Sequence, residues 1–110
     1  MTTLSTHVLD TANGCPAAGM RVALMHDERI LFEGKTDGDG RCPDLGKIGV
    51  MAGVYKLCFS VADYFRSYGH VLPEPPFLDE VRIDFGMSDA GHYHVPLLVS
   101  PFGYSTYRGS

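Results

Sequence analysis

Apolar residues recur at every second position in several short stretches, each closed by turn-forming residues, and that period predicts β-strands. Met20, Val22 and Leu24 alternate with Arg21, Ala23 and Met25. Val81, Ile83 and Phe85 alternate with Arg82 and Asp84, and Tyr93, Val95, Leu97 and Val99 share a face. Residues 4–9 read as a first strand, ended by the Asn13-Gly14 turn. Residues 30–32 form a shorter one before the turn cluster Asp37-Gly38-Asp39-Gly40. Tyr55, Leu57, Phe59 and Val61 lie on one face of what the pattern predicts as the longest strand, and residues 104–107 close the chain.

Helical signal is confined to residues 63–68, where Asp63 is placed to cap the N-terminus and Gly69 the C-terminus. Pro73-Glu74-Pro75-Pro76 cannot enter a sheet interior and reads as a loop. Seven to eight short strands with one short helix predict an all-β fold, an antiparallel β-sandwich. No repeat or low-complexity tract interrupts it.

Length and charge narrow the picture. A chain of 110 residues suits one domain spanning 1–110, small enough that association with further copies is a natural source of stability. The net charge is −4 and no basic stripe is visible, so nucleic acid is not an expected partner. Cys15, Cys42 and Cys58 are odd in number and share no CxxC spacing, which predicts free thiols in a reducing compartment. The first residues show no basic stretch followed by an apolar run, and no apolar stretch approaches the roughly 20 residues that span a bilayer. A cytoplasmic protein without a membrane partner is expected.

The candidate chemistry is histidine and arginine, not paired carboxylates. His92 and His94 are two apart, so on a strand they share a face with Pro96 and Leu98. Such a face is odd for a core and suits a cleft or a subunit interface. His7 lies within an apolar strand, and Arg41 follows the glycine-rich turn, where a tight backbone can hold a guanidinium rigidly. Taken singly, each has a plainer reading: a satisfied structural histidine, a solvated arginine. Zinc ligation by His92 and His94 with His7 or His70 lacks an acidic or thiolate ligand at a telling spacing, so no metal is expected. The Asp37–Gly40 cluster lacks the remaining ligands of a calcium loop and reads as a turn. No Gly-x-Ser-x-Gly elbow and no phosphate-binding glycine motif is present.

These pieces, in this order, resemble one family. Leu4-Ser5-Thr6-His7-Val8-Leu9-Asp10, continuing to Gly14-Cys15-Pro16-Ala17, resembles the opening signature of the transthyretin-like family. The run from His92-Tyr93-His94-Val95-Pro96-Leu97-Leu98 to Ser105-Thr106 resembles its closing signature. Tyr107-Arg108-Gly109-Ser110 matches the tetrapeptide that separates the family's hydrolases from its hormone carriers, and Thr36-Asp37-Gly38-Asp39-Gly40-Arg41 matches the hydrolase arginine loop. The resemblance spans the chain and departs around Pro75-Pro76-Phe77-Leu78-Asp79-Glu80-Val81, outside these motifs.

The resemblance implies hydrolysis of 5-hydroxyisourate to 2-oxo-4-hydroxy-4-carboxy-5-ureidoimidazoline, in urate breakdown, with no cofactor. It implies catalytic roles for His7, Arg41, His94 and Ser110. It also implies substrate binding by Arg41, Tyr107, Arg108, Gly109 and Ser110, in a homotetramer built as a dimer of dimers. His94, the histidine followed by Val-Pro, is chosen over His92. Ring opening by water needs a base and a donor for the developing oxyanion, roles that histidine and arginine fill near neutrality. Two rivals are a hormone-carrier-like binding protein without turnover and a histidine metal module. An assay with freshly generated 5-hydroxyisourate separates the first, and metal analysis the second.

Overall fold

The computed structural model describes residues 2–109. Eight strands form two four-stranded sheets. The first sheet contains β1 (Thr2–Asp10), β2 (Cys15–Pro16), β7 (Gly91–Ser100) and β8 (Gly103–Thr106), in the order β2-β1-β7-β8. The second contains β3 (Arg21–His26), β4 (Arg29–Lys35), β5 (Gly53–Ser60) and β6 (Glu80–Met87), in the order β4-β3-β5-β6. Their inner faces meet in a core that includes Leu4, Val8, Val22, Leu24, Leu57, Phe59, Leu97 and Val99. The alternation read from the sequence therefore picks the buried side of each long strand correctly.

Three features differ from expectation. First, β1 and β7 run parallel, in register from Thr2 opposite Gly91 to Asp10 opposite Val99. A period of two fixes which side chains are buried but carries no information about a neighbour's direction. Second, β7, with ten residues, is the longest strand, whereas β5 has eight and ends where Val61 turns into the helix α1 (Val61–Ser67). Third, that helix begins two residues early: Asp63 sits in its first turn, where its charge suits the helix N-terminus, while Ser60 precedes it without a side-chain cap. Tyr68 ends the helix, and Gly69 follows at φ +94°. A 3-10 helix at Pro43–Lys47, with Pro at its start and buried Leu45, and the two-residue β2 are further elements that the apolar pattern is too short to reveal.

Two anchors position the site strands. The carboxylate of Asp10, 1% exposed, accepts hydrogen bonds from the backbone N–H groups of Ala12 and Asn13, from Asn13 Nδ2 and from Tyr64 Oη. It thus closes β1 and ties it to α1. On its free side β1 is bridged by three separate segments: Val50 opposite Thr2, Arg41 opposite His7, and Cys15–Pro16 opposite Asp10 and Leu9. Among the described residues every buried side-chain nitrogen or oxygen has a hydrogen-bond partner. Within the same residues, no helix is long and apolar enough to cross a membrane.

Candidate active site

The outward face of the first sheet collects the candidate residues. Thr3, Ser5, His7 and Leu9 of β1 lie opposite His92, His94, Pro96 and Leu98 of β7 in successive pairs. Because odd-numbered β1 residues and even-numbered β7 residues turn away from the core, polar groups gather there at no cost to packing.

Arg41 is set by its turn. Asp37 Oδ1 accepts the N–H groups of Asp39 and Arg41, and the Asp37 N–H donates to the Arg41 carbonyl at 2.8 Å. Gly40 has φ +76°, and a Cβ there would run into the carbonyl oxygen of Val8. The Val8 N–H donates to the Gly40 carbonyl at 2.8 Å, so the loop is laced to β1 and Arg41 becomes the antiparallel neighbour of His7. Glycine at position 40 is what permits both the turn and the approach.

His94 is held from two sides. Ser5 Oγ lies 2.7 Å from its Nδ1, leaving Nε2 for a reacting molecule. On the other side the Gly109 N–H donates to the His94 carbonyl at 2.7 Å. That contact continues the register of β8, in which Leu97 already faces Thr106. A Cβ on Gly109 would lie 2.5 Å from His94 Cδ2. His94 is half-buried. Burial, then the positive charge of Arg41, then His7 and His92, lower its pKa from the ordinary 6.5, with Ser5 acting in the opposite direction. The ring is therefore neutral at pH 7, as a base must be.

A titration follows from this direction. The His94 ring should change charge below pH 6.5 in the folded protein, and the acid limb of kcat/KM should lie below 6.5 as well. The sign is that of a depressed folded value: stability contributed by neutral His94 is present above 6.5 and is lost as pH falls through the folded pKa. NMR of the histidine ring protons checks it. A His94 midpoint at or above 6.5 contradicts the argument.

The structure thus joins His7, Arg41, His94 and the Gly109 backbone. Arg108 points elsewhere: its Cζ lies 4.1 Å from the centroid of the Tyr93 ring, on the inward side of β7. With Tyr107, Ile83 and Phe85 it borders a hollow of about 230 Å³ beside β6. Ser110, expected as a catalytic residue, lies outside the described residues. Sequence reasoning overlooked the hydroxyls. Ser5 and Thr3 share the His7 face at a period of two, a signal that was available. Among the described residues no three His, Cys, Asp or Glu side chains cluster to hold a metal ion. Cys42 is buried, and burial with Asp37 and Asp44 nearby pushes its thiol up to about 11.

A two-sheet β-sandwich carrying a histidine–arginine cluster on one outer face defines a transthyretin-like architecture. The family model described as HIUase/Transthyretin family matches residues 4–109, and the chain belongs to that family. It is 54% identical to a 5-hydroxyisourate hydrolase of Mesorhizobium japonicum, over 97% of this chain and 91% of that one. Among solved structures, the 5-hydroxyisourate hydrolase of Klebsiella pneumoniae has a TM-score of 0.88 at 35% identity, with both chains fully covered. A crystal structure of (S)-allantoin synthase has a TM-score of 0.89 at 42% identity; it matches 99% of this chain, which spans only 44% of that longer one.

Proposed function

We propose that residues 1–110 form one hydrolase domain that opens the ring of 5-hydroxyisourate to 2-oxo-4-hydroxy-4-carboxy-5-ureidoimidazoline. The observation that carries this reading is His94 fixed through Nδ1 by Ser5, beside Arg41 and His7; burial and the charges of these two lower its pKa. His94 Nε2 takes a proton from water as the oxygen attacks the ring amide carbonyl. The guanidinium of Arg41 stabilises the oxyanion with two parallel N–H donors. The C–N bond then breaks and the nitrogen leaves with a proton, supplied by the histidine pair. His7 works with His94 as its proton-transfer and orienting partner. No cofactor takes part. Gly109 lines the site beside His94, Tyr107 and Arg108 take part in substrate binding by holding the tail in place, and Ser110 is assigned to catalysis and substrate binding.

The protein is proposed to act in the cytoplasm as a homotetramer, a dimer of dimers, with the His94 faces at the meeting of dimers. Half-buried Leu98 on that face suits contact with another copy. Light scattering should give about four times the 12.0 kDa subunit mass. A fully active monomer overturns the interface site.

The direct test follows the absorbance of freshly generated 5-hydroxyisourate with and without protein. Decay no faster than the spontaneous rate refutes a hydrolase and leaves a binding protein. Arg41→Lys keeps the charge but loses the planar pair of donors, so it should fold normally and lose on the order of 2–4 kcal/mol of transition-state stabilisation. Near wild-type turnover in this variant would show that Arg41 does not hold the substrate.

A further inference from the structure

We propose that Ser5 and His92 form a proton outlet that carries the proton released in each turnover from His94 to solvent. Three hydrogen bonds make a continuous chain. His94 Nδ1 is 2.7 Å from Ser5 Oγ, Ser5 Oγ is 2.9 Å from His92 Nε2, and His92 Nδ1 is 2.8 Å from Thr3 Oγ1. His92 is exposed and is the second residue of β7, at the margin of the sheet, whereas His94 lies one pair further in. The chain thus leads outward.

The direction of the protons follows from counting donors. A serine hydroxyl has one hydrogen, so Ser5 can donate to only one of the two imidazoles and must accept from the other. For His94 Nε2 to act as a base, its single proton sits on Nδ1 and points at Ser5 Oγ. Ser5 then donates to His92 Nε2, and His92 Nδ1–H donates to Thr3. When His94 Nε2 accepts a proton from water, Nδ1 can release its own to Ser5 Oγ as the Ser5 hydrogen passes to His92 Nε2. His94 is again neutral, with its proton on Nε2, and His92 is an imidazolium that loses its proton to solvent. The leaving nitrogen takes its proton from the hydroxyl of the tetrahedral intermediate by way of His7, so the product forms as a carboxylate and one proton has left through His92. After product leaves, Nε2–H passes to water as Nδ1 takes a proton back through Ser5 and His92, an exchange with no net change in charge that restores the starting tautomers.

The proposal rests on the hydrolase reading, whose chemistry requires such an outlet. Opening a cyclic amide gives a carboxylic acid and an N–H. The acid ionises at neutral pH, so substrate and water yield product carboxylate and one net proton. His7, one pair further along β1, and Arg41 beside it also act on His94, and a fixed guanidinium takes no proton away. Burial and that same guanidinium disfavour a persistent charge on His94, which drives the proton outward.

The test compares buffers. Ser5→Ala and His92→Asn should each lower kcat about tenfold in dilute buffer, with KM unchanged, and regain most of it in concentrated imidazole, which carries protons from the site directly. Ser5→Thr keeps the hydroxyl and should retain several-fold more kcat in dilute buffer than Ser5→Ala, which also separates loss of the hydroxyl from loss of folding. His94→Asn should stay inactive in both. Losses in Ser5→Ala and His92→Asn that are the same in both buffers, or the absence of any loss, overturn the outlet while His94→Asn remains inactive. An active His94→Asn overturns His94 as the base and the outlet with it, whereas wild-type decay no faster than the spontaneous rate overturns the hydrolase reading itself.

Discussion

Replacing His7 or His94 with asparagine should each lower kcat by about 10²–10⁴-fold, and replacing both should be little worse than replacing one. The two residues stand on neighbouring strands, Ser5 opposite His94 and His7 opposite Pro96, and His7 is near enough to disfavour charge on His94. Groups that move one proton as a unit fail together once either is lost, because the survivor has nothing to exchange with. Asparagine keeps a polar amide of similar reach, so the sheet and its backbone pairing should persist. Circular dichroism and thermal unfolding of each variant establish that point independently of turnover. His92→Asn is the comparison: its loss should be smaller and should depend on buffer, since His92 meets the outgoing proton and not the substrate. If the double variant loses the product of the two single losses, the histidines have separate roles and the paired mechanism is wrong.

Much of this site was legible because strand periodicity is a strong signal. With His92 and His94 two apart, no fold of that segment as a strand could send them to opposite faces, and β7 places them together. The core positions Val22, Leu57, Phe59 and Leu97 follow from the same rule. What stayed hidden depends on partners distant in sequence. Nothing in residues 2–10 announces that β1 runs parallel to a strand some ninety residues away, yet that pairing is what sets Ser5 beside His94. The Arg41 loop reads as a turn, but nothing in it tells that the Val8 N–H donates to the Gly40 carbonyl and so brings Arg41 to His7. The β3–β4 hairpin gives no composition signal either. Asp27 and Glu28 adopt φ of 49° and 64° without a glycine, at a cost of about 1–2 kcal/mol each, tolerated because the flanking strands pair around them.

The chain's last residues should matter as much as the histidines. Removing residues 107–110 should cost about a thousandfold in kcat/KM while leaving the sandwich folded, because residues 107–109 supply no core side chain. A frayed tail would tolerate the deletion, as exposed termini usually do. Here the tail is an extension of β8: Gly109 pairs with His94 in the register that Thr106 keeps with Leu97, and Arg108 is pinned over Tyr93 by its cation–π contact. The deletion would strip His94 of the strand on its Gly109 side and leave its carbonyl without a donor. A subtler variant isolates the geometry. Gly109→Ala adds one methyl, whose carbon would fall 2.5 Å from His94 Cδ2, closer than van der Waals contact allows. The ring or the tail must shift, and a misplacement of this size costs about a hundredfold in a positioned reaction. Arg108→Ala, which loosens the tail without touching His94, should fall between Gly109→Ala and wild type. Steady-state kinetics on the three variants, with unfolding temperatures measured alongside, decide the matter. Full activity in Gly109→Ala would mean that His94 does not need the orientation seen here, and a fully active deletion would remove the tail from the site altogether.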